Sequence, residues 1–220
     1  MTSNAERTAR ARMGNRTRGS ETRLEILNAA IELIARRGAR GVSLVEIADA
    51  AGMSKAGLLH HFATKDALLN AALDVRDGLD VHLRPDYAAV GLEVFDDVEA
   101  IVREWTQRPA TLGLFTELLA ENLNPGDPLH ERLVLRAETV HANLERALEA
   151  GKVRGDIRED ADADVIAHTV IAFVNGLETY WQLDTRIPVL EIVAAWKLAM
   201  VLSVGSPAAV ERVAGGLTAP

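Results

Sequence analysis

The chain has 220 residues, of which 48% are hydrophobic and 25% charged, enough material for one large helical domain or a small domain joined to a larger one. The absence of cysteine excludes disulfides, thiolate zinc sites and cysteine nucleophiles. The net charge of −8 is uneven, because residues 1–62 carry ten Lys and Arg against six Asp and Glu, and residues 63–220 carry 14 against 26. A basic N-terminal part on an acidic body suits a small DNA-binding head.

Residues 1–21 are predicted to form a flexible basic arm. Residues 1–23 contain six arginines and no apolar segment, which excludes a secretory signal, and they lack the apolar face of a transit peptide. Such an arm either lies along phosphates and in a minor groove or is a tail without a role.

The next unit, residues 22–66, is predicted to be a three-helix head. The first helix covers residues 22–38 and ends at Gly38. Ser43 is a plausible N-cap for the second helix, and Gly52 follows where the chain must reverse. Ser54 caps a short third helix, from which Leu59 and Phe62 are expected to turn inward. The second helix has one apolar face, formed by Leu44, Ile47, Ala48 and Ala51.

Along the chain these signals follow in a fixed order, which is typical of a helix-turn-helix that binds DNA. The order is a cap at Ser43, a small residue at Ala48, a glycine at Gly52, a second cap at Ser54 and an aromatic residue at Phe62. The third helix then leaves small or polar residues outward, and a helix of that kind enters a major groove about 12 Å wide. The alternative is an ordinary helical hairpin in an all-helical core.

Residues 67–208 are predicted to form a helical body, and residues 209–220 a tail. A helix beginning at Thr64 links the head to the body and runs until Pro85. Residues 124–127 form a turn, and residues 154–160 a charged loop. Further helices are expected over residues 93–107, 110–122, 128–150 (stopped by Gly151), 162–183 and 189–204.

The last two helices are predicted to form a homodimer interface. Residues 189–204 are apolar almost all round, and a helix of this kind must be buried on every side. Two such helices are difficult to bury within one subunit of this size, and a symmetric dimer is the common solution. The alternative is that they form the core of a monomer. The predicted interface residues are Val170, Phe173, Gly176, Leu177, Trp181, Val193, Trp196 and Met200.

The sequence gives no support for an enzyme, a cofactor or a metal site. It contains no phosphate-binding glycine loop, no dinucleotide fingerprint and no nucleophile elbow. His60 and His61 diverge by about 100° on a helix, and the remaining histidines are scattered singly. A ligand cavity is expected among the middle helices, with Trp105, Phe115, His141 and Phe173 as candidate lining residues, although core packing is the more common role for any one such residue.

Residues 22–73 resemble the TetR (tetracycline-repressor) family of bacterial transcription regulators. The family pattern is a helix ending in Gly, a Thr or Ser cap, then I-A-x-x-A-G-V-S, G-x-L-Y-x-H-F and x-K-x-x-L; the chain reads IADAAGMS at 47–54, GLLHHF at 57–62 and TKDALL at 64–69. Gly176, Leu177 and Trp181 resemble a body motif. The resemblance implies an all-helical homodimer with an N-terminal helix-turn-helix head and a C-terminal effector-binding and dimerisation domain.

By position, the resemblance assigns the DNA contacts. Ser43, Ser54, His61 and Lys65 would contact phosphates, and Lys55, Gly57, Leu58 and His60 would face the groove. Two departures are expected: His60 in place of a tyrosine, and Leu58 in place of a small residue. The helix has no Arg, Asn or Gln, so base discrimination would rest on apolar contact and DNA shape. The alternative to DNA contact is that both histidines have a purely structural role.

Together these features predict a cytoplasmic regulator, a repressor that a small-molecule effector releases from a palindromic double-stranded DNA operator. No membrane is expected as a partner, because the most apolar run, residues 189–205, is shorter than the roughly 20 residues that span a bilayer. The competing hypothesis is a helical small-molecule-binding protein or enzyme with a vestigial head.

Overall fold

A computed structural model describes the backbone of residues 4–81 and 90–217, and the side chains of residues 19–78 and 90–212. Within this part the fold is all-α, as predicted. It contains no β-strand, and its β-type hydrogen bonding is limited to an isolated β-bridge between Ile157 and Gly205. No helix of the described part is long and apolar enough to cross a membrane. The helices are α1 (Asn4–Arg37), α2 (Leu44–Ala50), α3 (Lys55–His61), α4 (Lys65–Val81), α5 (Val94–Gln107, after a 3-10 turn, Gly91–Glu93), α6 (Pro109–Glu121), α7 (His130–Arg154), α8 (Ala163–Leu183), α9 (Val189–Val204) and α10 (Pro207–Leu217).

Local sequence signals set the bounds of the short head helices. Ser43 and Glu46 form a capping box at the start of α2, because each side chain accepts a hydrogen bond from the other residue's backbone N–H. Gly52 adopts φ +69° between α2 and α3, a left-handed conformation that residues with a Cβ rarely adopt. The predicted turn at Gly52 is therefore confirmed.

The head and the body share a continuous apolar core. Ile34 of α1, Ile47 of α2 and Leu68 of α4 are fully buried together with Leu114 and Leu118 of α6. On the surface of the same junction, Glu121 accepts two 3.1 Å hydrogen bonds from the backbone N–H of Arg40. The predicted boundary at residue 66 falls inside α4, so this helix belongs to both units.

Helix α1 extends through most of the segment predicted as a flexible arm. Its backbone is helical from Asn4, so residues 4–21 are not an irregular segment, whereas residues 1–3 lie outside the described part. The segment is rich in Ala and Arg and contains no proline, so a helix anchored in the head can propagate through it. Basic composition alone does not indicate disorder, because the helix propensity of the segment acts independently of its charge.

The predicted end of α7 was also wrong. The helix passes through Gly151 and ends at Arg154, and the C-cap residue Gly155 has φ +76°. Gly151 is needed for space, because a Cβ there would lie 2.9 Å from the Cα of Gly91 and 2.7 Å from Ile157. This close approach involves residues distant in the chain, so the local sequence did not reveal it.

The predicted tail at residues 209–220 overlaps a helix, α10, which reaches Leu217; residues 218–220 lie outside the described part. Ser206 accepts a hydrogen bond from the N–H of Ala209, and Pro207 suits the first turn because it has no N–H to satisfy. The Ser-Pro pair was a helix-start signal that the sequence analysis missed.

Four of the eight predicted interface residues lie in the core of a single subunit and form no surface: Val170, Leu177, Trp181 and Val193. Phe173 and Trp196 stack on each other at 4.3 Å and, with Met200, pack half-buried against the same core, while Gly176 is exposed. The assumption that these helices cannot be buried within one subunit was wrong for these faces, because α9 packs on α5 and α8 packs on α7.

Candidate nucleic-acid interface and effector cavity

Helix α3 presents one face to solvent and one to the head core. Lys55, Ala56, Leu59 and His60 are exposed, whereas Leu58 is fully buried and packs in the same core as Phe62. The predicted outward position of Leu58 and inward position of Leu59 are therefore both wrong. Spacings of three and of four residues both place a side chain on the face of Phe62, so periodicity alone did not decide between them.

The burial of Leu58 also corrects the alignment with the family pattern. In L-Y-x-H-F the leucine precedes the phenylalanine by four residues, which is the distance from Leu58 to Phe62. Leu59, and not His60, then occupies the tyrosine position. The exposed residues that the sequence analysis missed at this surface are Ala56 and Leu59, and this spacing was the signal that would have found them.

Both predicted serine contacts are N-caps with exposed side chains. The Ser43 hydroxyl accepts from the N–H of Glu46 at 3.3 Å, and the Ser54 hydroxyl accepts from the N–H of Gly57 at 3.1 Å. Each uses a lone pair, so each retains its own O–H as a donor to a phosphate oxygen. The Ser43 backbone and side-chain hydrogen bonds, followed by that of Arg37, lower the pKa of Glu46 to about 2, so this carboxylate stays ionised well below the pH at which a glutamate ordinarily takes up a proton.

Lys65 has a structural partner where a phosphate contact was predicted. Its Nζ donates to the carbonyls of Ala39 and Val42, each at 2.5 Å, and the side chain is half-buried. Two of the three ammonium donors are thus used to fix the loop between α1 and α2. The loop carbonyls come from residues more than 20 positions away, which explains why the sequence pattern did not reveal this role.

The two histidines differ in exposure. His60 is exposed and His61 is half-buried, with their ring centroids 5.7 Å apart. The carbonyl of His61 accepts from Arg23 Nη1 at 3.1 Å, and the Arg23 guanidinium lies 4.1 Å above the ring of Phe62. Arg23, which the sequence analysis did not single out, therefore holds the end of α3 against α1.

Gly57 is half-buried at the turn of α3 that follows Ser54. A Cβ at Gly57 would find ordinary contacts, with Ser54 Oγ at 3.5 Å, so the fold itself does not require glycine here. A bare backbone allows close approach of another molecule. Together the exposed face offers one ammonium, methyl-bearing side chains, an imidazole and this bare backbone, on a helix of the size that a major groove admits.

Two family models match the chain. The model of the bacterial regulatory proteins of the tetR family matches residues 26–72, and that of the tetracyclin repressor-like C-terminal domain matches residues 96–196. The chain belongs to the TetR family. It is a DNA-binding transcriptional regulator, and the helix-turn-helix of this TetR-family protein is the α2–α3 pair.

Individual proteins agree with this assignment. The transcriptional regulator TtgR of Pseudomonas putida is 28% identical over 178 residues, which cover 74% of this chain and 81% of TtgR. The regulator RutR of Escherichia coli is 41% identical over 73 residues, 33% of this chain and 34% of RutR. The structure of a TetR regulator from Chloroflexus aurantiacus aligns with a TM-score of 0.73 at 24% identity, covering 86% of this chain and 99% of that one, and shows the same fold.

A cavity of about 150 Å³ lies in the body of this TetR-family protein. Trp105 and Phe115 line it, as predicted, but His141 and Phe173 do not. Phe173 is instead stacked on Trp196, and His141 lies 3.1 Å from Asp164. The amphipathic pattern predicted that these two side chains are at least partly buried, but it did not predict which residues they contact.

The cavity wall is mainly apolar and contains a few polar groups. Among the described residues, no acceptor forms a hydrogen bond with the buried indole N–H of Trp105. The guanidinium groups of Arg76 and Arg136 lie 3.9 and 4.7 Å from the centre of the Phe115 ring. Arg76, Arg136 and Asp97 line the wall without any signal in the local sequence, because their positions depend on how α4, α5 and α7 pack.

Proposed function

We propose that this regulator is a homodimeric repressor that binds a palindromic operator and is released by a small, mainly apolar effector. The exposed face of the capped helix α3 carries this proposal. The two heads of a dimer would read successive major grooves about 34–36 Å apart, or a multiple of that distance. An effector that prefers dimers with another head spacing would lower operator affinity, with a coupling free energy of typically 1–3 kcal/mol.

An exposed apolar stripe supports a revised dimer surface on α8 and α9. Ala172 and Gly176 are exposed and one turn apart, so they permit close approach of a second backbone. On α9, Ala195, Ala199 and Leu202 form a second exposed row. Monomeric proteins rarely leave contiguous apolar stripes in water. The exposed members on α8 are Val165, Thr169, Ala172, Gly176, Tyr180 and Leu183.

The paired cations of the cavity wall favour an effector that is not an anion and that carries a hydrogen-bond acceptor. Arg76 is paired with Glu178 at 3.4 Å, and Arg136 with Asp77 at 2.6 Å, so both wall cations are balanced. The N–H of Trp105 is the donor to satisfy, and a carbonyl, ether or hydroxyl oxygen would accept from it. We therefore expect a compact apolar molecule that carries such an oxygen.

Replacing Lys55 by Gln is expected to weaken operator binding and to make it less salt-dependent. Lys55 faces the groove, and we expect its ammonium to neutralise one phosphate at the groove edge, so its removal should reduce the magnitude of the slope of log K against log salt by about 0.9. Fluorescence anisotropy with DNA flanking the gene, measured at several salt concentrations, gives both quantities and the number of chains per duplex. Arg186→Gln is the matched control, because Arg186 is an 89% exposed cation on the body.

Two chains per duplex, and an effect confined to Lys55→Gln, are the expected results. Equal salt slopes for the wild type and both variants would remove Lys55 from the interface. If the protein shows no specific DNA binding at any salt concentration but still binds an effector, the result would instead support a small-molecule-binding protein with a vestigial head.

Replacing Trp105 by Phe is expected to reduce effector affinity while operator affinity stays unchanged. The loss of one hydrogen bond of about 0.5–1.5 kcal/mol corresponds to a roughly two- to tenfold weaker complex. A screen of apolar metabolites by tryptophan fluorescence, followed by calorimetry, measures the change. Trp196→Phe is the matched control, since Trp196 stacks on Phe173 and does not line the cavity. Equal losses in both variants would contradict the assigned role of Trp105.

A further inference from the structure

A cluster of two histidines and one aspartate lies where α7 meets the first turns of α8. His141 Nε2 is 3.1 Å from Asp164 Oδ1, and His168 Nε2 is 3.8 Å from the same oxygen. One potential ligand atom from each of the three residues lies within 4.8 Å of the others. We propose that this cluster binds a divalent transition-metal ion of the Zn²⁺, Co²⁺ or Ni²⁺ type.

Local structure fixes two of the three ligands. Asp162 caps α8 by accepting from the N–H of Val165 at 3.2 Å, and this sets the first turn of the helix. Asp164 and His168 are four residues apart, so they project from the same face one turn from each other. The packing of α7 against α8 then brings in His141, whose ring centroid is 4.2 Å from that of His168. Because the two histidines are distant in the sequence and lie on different helices, the sequence alone does not show that they are neighbours.

The two separations from Asp164 are close to those of an occupied site, and the ligand atoms of the two histidines lie within 4.8 Å of each other. With metal–ligand bonds of about 2.0–2.1 Å, tetrahedral ligand atoms lie roughly 3.3 Å apart. The 3.1 Å and 3.8 Å separations need little change. Asp164 and His168 have side chains that are 61% and 67% exposed, so they are free to rotate inward and leave an open path for the ion.

The donor set indicates which ions bind. Imidazole nitrogen suits Zn²⁺, Co²⁺ and Ni²⁺, whereas Mg²⁺ and Ca²⁺ prefer oxygen ligands only. His141 Nε2 is buried and makes no hydrogen bond of acceptable geometry with the described residues, although Asp164 Oδ1 lies nearby. A simple ion pair would align the two groups. A metal ion placed between the three side chains satisfies this nitrogen and the carboxylate together.

The site would link two helices that also line the effector cavity. Val140 and Asn143 flank His141 on α7, and Val170 and Ile171 follow His168 on α8; all four line the cavity. A bound ion therefore crosslinks the outer part of the same helix pair. Ligands that bind only the folded state raise the temperature of unfolding, so metal binding has a structural readout that does not depend on DNA or effector.

Titration of the full chain with Co²⁺, followed by visible absorption, and with Zn²⁺, followed by calorimetry, tests the site. We expect one ion per chain and a rise in Tm with Zn²⁺. Asp164→Asn and His168→Asn should each weaken binding at least about tenfold, as loss of even a supporting group does at metal sites. Both side chains are exposed, so both variants should retain the helical circular dichroism of the wild type.

The controls are Asp160→Asn, in the adjacent loop with a 78% exposed side chain, and His60→Asn, on the exposed face of α3. Both variants should bind the metal ion with the affinity of the wild type. Lack of wild-type binding at millimolar ion, wild-type affinity in both Asp164→Asn and His168→Asn, or loss of binding in His60→Asn would each overturn the proposal.

Discussion

Leu58→Ala is expected to lower the free energy of unfolding by about 2–5 kcal/mol, the usual cost of truncating a fully buried leucine. Leu58 is 0% exposed and belongs to the core that α1, α2, α4 and α6 share. Leu59→Ala is the matched variant, because Leu59 is the next residue on the same helix and is 37% exposed. Its unfolding free energy should stay within about 0.5 kcal/mol of the wild type. Urea denaturation followed by circular dichroism measures both.

The same pair of variants separates folding from DNA binding. Leu59 is exposed between Lys55 and His60, where an apolar side chain can pack on a thymine methyl group. Leu59→Ala should therefore remain fully folded and lose operator affinity, whereas Leu58→Ala loses stability first. Equal destabilisation by the two substitutions, or a stable Leu58→Ala variant, would contradict the orientation of α3 described above.

The features of the head that were predictable are those set by neighbouring residues. Ser43, Gly52 and Ser54 act within one turn of the chain, through side-chain caps and a left-handed φ, and all three have the predicted local roles. The orientation of Leu58 and Leu59 was not predictable from spacing, since it depends on the angle at which α3 packs on α1 and α2. Only the four-residue distance to Phe62 in the family pattern contained that information.

The less predictable features depend on contacts between distant segments. Lys65 bonds to loop carbonyls before α2, and Gly151 is close to Gly91. Val170, Leu177 and Trp181 of α8 were predicted at the interface but lie in the core of one subunit, because hydrophobicity shows that a face is covered and not which element covers it. The exposed stripe is the one that contains Ala172 and Gly176.

The contacts between head and body connect the wall of the cavity to the helices of the head. Helix α4 begins at Lys65, whose ammonium fixes the loop before α2, and it continues to Arg76 in the cavity wall. The second contact is the packing of α1 along α6, where Gly113 allows close approach to Ala35. An effector that touches Arg76 and Phe115 thus contacts both α4 and α6, the helices on which the head rests.

The ion pair between Arg76 and Glu178 is expected to show the second large effect. Its side chains are 6% and 1% exposed, and it joins α4 to α8 at 3.4 Å. Arg76→Met removes a cation 3.4 Å from a buried carboxylate, and Glu178→Leu removes the carboxylate beside a buried guanidinium, so each single variant should lose about 3–5 kcal/mol of unfolding free energy. The double variant should be more stable than either single variant, since apolar replacement of a whole buried pair is often neutral or stabilising.

Urea unfolding of the four proteins forms a double-mutant cycle, and Arg186→Ala, in an exposed pair with Asp184, is a control expected to change stability by less than about 1 kcal/mol. If the pair also transmits the effector signal, the double variant should bind operator normally and be released less readily at equal effector occupancy, which calorimetry must establish because Arg76 also lines the cavity. If the loss of unfolding free energy in the double variant equals the sum of the two single losses, the two residues act independently. If effector releases the double variant from operator as it releases the wild type, we expect the α1–α6 contact to transmit the signal instead.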